Sequence, residues 1–138
     1  MSKYKEIFKL KKMLEDAGIE FEFYDRSIKD EEIEQMELPG ESIFDAMMLN
    51  RFLANRELYQ IIIYKSEEEI KELGEPMDNP VYIKAIRLIS VVEGWVSHGH
   101  ERDLLEIMGL TQNGNEVEGY LTAEEVYTRI ITALNKNA

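Results

Sequence analysis

Ala17-Gly18-Ile19-Glu20-Phe21-Glu22-Phe23 is the stretch on which the fold turns. Upstream of it, Tyr4, Ile7, Phe8, Leu10, Leu14 and Ala17 recur at helical spacing, with Lys3, Lys5, Lys9 and Lys12 mostly between them. Gly18 stands where a left-handed cap costs least, because it carries no Cβ. Beyond it Ile19, Phe21 and Phe23 alternate with Glu20 and Glu22, the period of a strand with one covered and one wet face. An amphipathic helix therefore passes directly into a strand over Ile19 to Tyr24, which predicts a helix packed on a sheet.

Working outward, Tyr59 to Tyr64 centres on Ile61-Ile62-Ile63 and reads as a central strand, being short and β-branched. Glu67-Glu68-Glu69 opens a short helix ending at Gly74. Val81 to Val96 carries Val81, Ile83, Ile86, Ile89, Val91, Val92 and Val96, enough for one bent strand or two, with Gly94 at a bulge. A short helix is expected around Asp103 to Met108, closed by Gly109, followed by a polar loop through Gly114 and Gly119. Thr122-Ala123-Glu124-Glu125 fits a capping box, and Val126, Ile130, Ile131 and Leu134 supply the apolar face of the helix it starts. The Ser42 to Asn55 segment also reads as helical, but Ile43, Phe44, Ala46, Met47, Met48, Leu49, Phe52 and Leu53 cover more than one stripe. It is either buried or at an interface.

The chain has 138 residues, the size of one domain, and shows no repeat or low-complexity linker. Sixteen Lys and Arg stand against twenty-eight Asp and Glu, a net charge of −12 that disfavours direct binding to nucleic acid or to anionic membrane. The absence of cysteine excludes disulfides and thiolate sites. No run approaches the ~18 apolar residues of a membrane span. A soluble cytoplasmic protein without a cofactor is expected. The acid is concentrated: Met13 to Asp45 holds twelve Asp and Glu against Arg26 and Lys29.

Glu93, His98, His100, Asp103 and Glu106 are the ligand-type side chains nearest one another, and His98-x-His100 in a turn places two imidazoles near one ion. His98, His100 and Asp103 are thus the metal candidates. The competing reading is a solvated turn, since no third ligand stands at a diagnostic offset. Ser97 beside His98 lacks the Gly-x-Ser-x-Gly elbow, and no glycine-rich phosphate loop is present. No catalytic set is spelled out. The partner-binding candidates are Phe44, Met47, Met48 and Phe52 on the over-apolar helix, and Glu31, Glu32 and Glu34 in the acidic stretch. Trp95 reads as a core or core-rim anchor.

Ser90-Val91-Val92-Glu93-Gly94-Trp95, then Asp103-Leu104-Leu105-Glu106-Ile107-Met108-Gly109-Leu110, then Gly119-Tyr120-Leu121-Thr122-Ala123-Glu124-Glu125-Val126 resemble small proteins encoded in phages and prophages of Firmicutes. Leu10-Lys11-Lys12-Met13-Leu14-Glu15-Asp16-Ala17-Gly18-Ile19-Glu20-Phe21 resembles their opening. The resemblance implies a phage or prophage setting and no particular chemistry; Asp25 to Asn55 looks like an addition to that shorter pattern. The expectation is an α+β domain: a mainly antiparallel sheet of three to four strands with the first and last helices on one face. It would act without catalysis, by binding a protein partner or a second copy of itself. The alternatives are an acidic mimic of nucleic acid that inhibits a host nuclease or DNA-binding protein, and a small metal-dependent hydrolase.

Overall fold

Helix α1 (Glu6–Asp16) buries Ile7, Leu10 and Leu14, one stripe at spacings of three and four, and Tyr4 just ahead of it joins the same cluster. It ends in a Schellman closure. Gly18 takes φ +70°, its amide donates to Glu15 O at 3.1 Å, and the Ile19 amide reaches back to Leu14 O at 3.0 Å. Ile19 is consumed in closing the helix, so strand β1 (Glu22–Asp25) begins three residues later than the alternation suggests. The computed structural model describes residues 4–27, 57–73, 85–94 and 102–136.

The remaining elements are β2 (Leu58–Tyr64), α2 (Glu67–Glu72), β3 (Arg87–Gly94), β4 (Leu105–Met108), β5 (Val117–Leu121) and α3 (Ala123–Lys136). The fold is α+β, and among the described residues its open antiparallel sheet has five strands in the order β1-β2-β3-β4-β5, more than the three to four expected. Phe23 and Tyr59 face one side with Ile61, Ile63, Ile89, Val91, Leu105, Ile107 and Leu121. There they meet α1 and the Ala123, Val126 and Ile130 stripe of α3 in one core. Burying each such aliphatic side chain contributes roughly 1.5–3 kcal/mol, which is why the helices settle on this face.

Two predicted elements are corrected. The helix expected over Asp103 to Met108 is strand β4: Leu105 and Ile107 are buried and Glu106 and Met108 less so, a period of two. The polar loop before Thr122 contains strand β5, paired to β4 through Leu105↔Leu121 and Met108↔Val117. Within the described part of Val81 to Val96, Arg87–Gly94 forms one strand, and its pairing with β2 shifts register at Ile63/Tyr64, away from Gly94. Gly94 instead permits a close approach. A Cβ there would lie 2.4 Å from Glu57 O and 2.5 Å from Leu58 Cα, both main chain. The capping box is present, with the Glu125 amide donating to Thr122 Oγ1 at 3.2 Å and the Thr122 amide to Glu125 Oε1 at 3.3 Å.

Among the described residues no helix is long and apolar enough to cross a membrane. The predicted Ser42 to Asn55 helix and Trp95 lie outside the described residues.

Candidate functional site

Core-facing positions on β3 run Ile89, Val91 and then Glu93, so the alternation that builds the sheet also delivers a carboxyl group to its apolar side. Glu93 is 0% exposed. It lies under the first turn of α1, whose amides need acceptors and whose N-cap, Lys5, supplies no side-chain cap. Glu93 Oε1 accepts from the Ile7 amide at 3.1 Å. Asp103 Oδ1 accepts from the amides of Lys5 at 2.7 Å and Glu6 at 3.1 Å. Asp103 is held at φ +56°, a left-handed conformation that Asp tolerates better than most residues. Glu6 repeats the device on the other helix, its Oε2 accepting from the Ala123 amide at 2.6 Å at the start of α3.

Burial, followed by the neighbouring Asp103 carboxylate, pushes the Glu93 carboxyl up to about 9, overriding the Ile7 amide that favours its charged form. Its Oε2 is buried and makes no well-aligned hydrogen bond. Tyr4, in the same pocket of the core, is pushed up to about 12 by burial and by the charges of Glu57, Glu93 and Asp103. Two carboxyl groups in contact, one of them raised well above its ordinary range, are the starting point of acid–base chemistry. Here Glu93 Oε1 and Asp103 Oδ1 are given to amides of the N-terminal end of α1, and Glu93 is fully buried. The arrangement fastens α1 to the sheet.

Of the ligand-type residues singled out from sequence, Glu93 and Asp103 come together, whereas Glu106 pairs with Val92 on the opposite face of the sheet. His98 and His100 lie outside the described residues, as do Phe44, Met47, Met48, Phe52, Glu31, Glu32 and Glu34. Among the described residues, no group of three or more His, Asp and Glu is placed to hold a metal ion. The burial of Glu93 was readable in its parity with Ile89 and Val91.

A second feature lies where α1 meets the outer strand. Phe8 belongs by spacing to the apolar residues of α1, yet it is 38% exposed, beyond the reach of the core. Its ring stands 4.8 Å from that of Tyr59, edge to face, and 5.7 Å from that of Phe23, while Lys11 Nζ lies 5.2 Å over Phe23. The Tyr59 hydroxyl donates to Glu57 Oε2 at 2.9 Å. This aromatic group borders β1, which among the described residues pairs only with β2 and carries Glu22 and Asp25 at its ends. Neither a protein-family model, nor a curated protein, nor a solved structure matches the chain.

Proposed function

We propose that the protein is a phage or prophage accessory factor that works by binding another protein and not by catalysis. The observation that carries the reading is the juxtaposition of the exposed Phe8, stacked on the half-buried Phe23 and Tyr59, with the acid-flanked strand β1, which among the described residues is an outer strand. Aromatic side chains with a polar rim are what protein interfaces concentrate at their centres. An outer strand offers main-chain donors and acceptors to an extended segment, and acidic residues at its ends select a basic one. The occupant is therefore a lysine- or arginine-bearing extended segment of a partner. A net charge of −12 steers such a segment in from a distance.

The test is fluorescence anisotropy with a labelled extended peptide that alternates Lys and Val. Micromolar binding, weakened about tenfold or more by Phe8→Asp, is expected. Absence of binding, or binding indifferent to Phe8→Asp, ends the reading. Salt separates it from the nucleic-acid mimic: an interface with an aromatic centre keeps most of its affinity in ~0.5 M salt, whereas a surface held by charge alone releases its partner.

A further inference from the structure

We propose that the face of the sheet turned away from α1 and α3 is a docking surface for this chain's own residues 42–55. Direct cross-strand partners share a face, and the register puts Tyr24, Gln60, Ile62, Ser90, Val92 and Met108 on this one. Side chains on a pleated sheet stand beside one another and do not roof one another, so the tips of a bare face stay wet. At the centre of this face they are dry: Ile62 is 1% exposed and Ser90 8%, and the other four are half-buried. That burial is reached within a single chain, so the cover belongs to the chain itself.

The described elements do not supply it. Ile62 is not part of the core that α1 and α3 form on the opposite face, and α2 contributes no buried residue. The cover therefore comes from outside the described residues. Residues 95–101 offer Trp95 and Val96, and residues 74–84 offer Met77, Val81, Tyr82 and Ile83 among two prolines. Residues 42–55 offer eight apolar side chains in fourteen positions, more than one stripe of a helix can present to one neighbour.

Chain geometry favours the same segment. Residues 28–57 leave the sheet and return to it at one place, where the Arg26 amide donates to Leu58 O at 2.8 Å and the Leu58 amide to Ser27 Oγ at 3.0 Å. Asn55 is three residues from Leu58, so the end of the segment lies within ~10 Å of the start of β2. Leu58 pairs there with Gly94, next to Glu93 under the first turn of α1, so the core side of the sheet is already filled. The opposite side is the one left to it. As the helix its spacing predicts, the segment would be ~21 Å long, and four to five strands at ~4.8 Å span about that width. Its apolar residues are then spent inside the protein, and the Phe8 group is left as the aromatic surface for a partner.

The test is methyl NOE spectroscopy on the full wild-type chain, labelled at Ile, Leu, Val and Met methyls, beside a sample that mixes labelled and unlabelled chains. Cross-peaks within one chain are expected from the Ile62 or Val92 methyls to Met47, Met48, Leu49 or Leu53. Cross-peaks from Ile62 and Val92 only to residues 74–84 or 95–101 assign the cover elsewhere and overturn the proposal. Cross-peaks to residues 42–55 that arise only between chains make the face an interface between copies and overturn it as well. So does a spectrum in which Ile62 and Val92 see nothing beyond their own and adjacent strands. The wild-type chain decides, so no variant has to fold for the answer to count.

Discussion

Glu93 is pushed up to about 9 by burial, while Glu118, two strands away, is pulled down to about 2, chiefly by Arg129. Glu93 accepts one backbone amide, from Ile7, whereas Glu118 accepts one from Gln112 at 2.7 Å and is lowered further by that of Asn113. Glu118 also takes a forked pair from Arg129, 2.9 Å to one oxygen and 2.8 Å to the other, and Arg129 is steadied by Leu110 O at 3.2 Å. The difference teaches that a single peptide amide does not offset full burial of a carboxylate, whereas an opposing guanidinium, helped by backbone amides, holds a less buried one ionised. One glutamate is thus a neutral hydrogen-bonding wedge and the other half of an ion pair, and the two respond to pH in opposite senses.

The comparison breaks most sharply at Arg129. Arg129→Met strands the Glu118 carboxylate in a site only 15% exposed and should cost about 3 kcal/mol at pH 7, read from urea unfolding midpoints. The loss should shrink as pH falls, since the stabilisation from a depressed carboxyl is present above about 4.5 and disappears on approach to about 2. Glu93→Gln sharpens the other limb. With a raised carboxyl, stability is fully present below about 4.5 and drains away, at about 1.4 kcal/mol per pH unit at most, as pH climbs towards about 9. The amide variant keeps an acceptor for Ile7 and cannot ionise, so it should be more stable than wild type by about 2 kcal/mol at pH 8 and no more stable at pH 4. Equal stabilities at pH 8 would show that Glu93 carries no ionisation cost. Asp103→Ala, which removes the acceptor for the Lys5 and Glu6 amides and places alanine at φ +56°, should cost about 1–2 kcal/mol, with hydrogen exchange rising first in α1. The exposed Lys9–Glu124 pair marks the floor of the scale: Lys9→Met should leave the urea midpoint unchanged within error.

How far the sequence was legible follows from how local the deciding interactions are. Helix α1, its glycine closure and the capping box of α3 are written within a few residues of one another, and all three are found where their spacing places them. β2 was equally plain, as Ile61-Ile62-Ile63 is buried whole. Leu105 to Met108 was misread because Leu, Glu and Met are good helix formers, and only pairing with Ser90 to Val92 makes that stretch a strand. β5 escaped notice because its pairing tolerates Gly119 and a left-handed Tyr120 at φ +61° inside a polar run. At the candidate sites, acids are abundant enough for Glu93 to pass as solvated until its parity with Val91 is counted.

The capping of α1 also bears on the timing of synthesis. Its first-turn amides wait for Asp103, 97 and 98 positions later, and Glu6 is 117 positions from the Ala123 amide it receives. At ~5–20 residues per second a ribosome needs on the order of 5–20 s to make that intervening chain, during which α1 has emerged without the partners that hold it. Until Asp103 has left the exit tunnel, the amides of Lys5 and Glu6 lack the side-chain acceptor they have in the folded protein. The contacts of α1 with α3 likewise become available only when that last helix has been made.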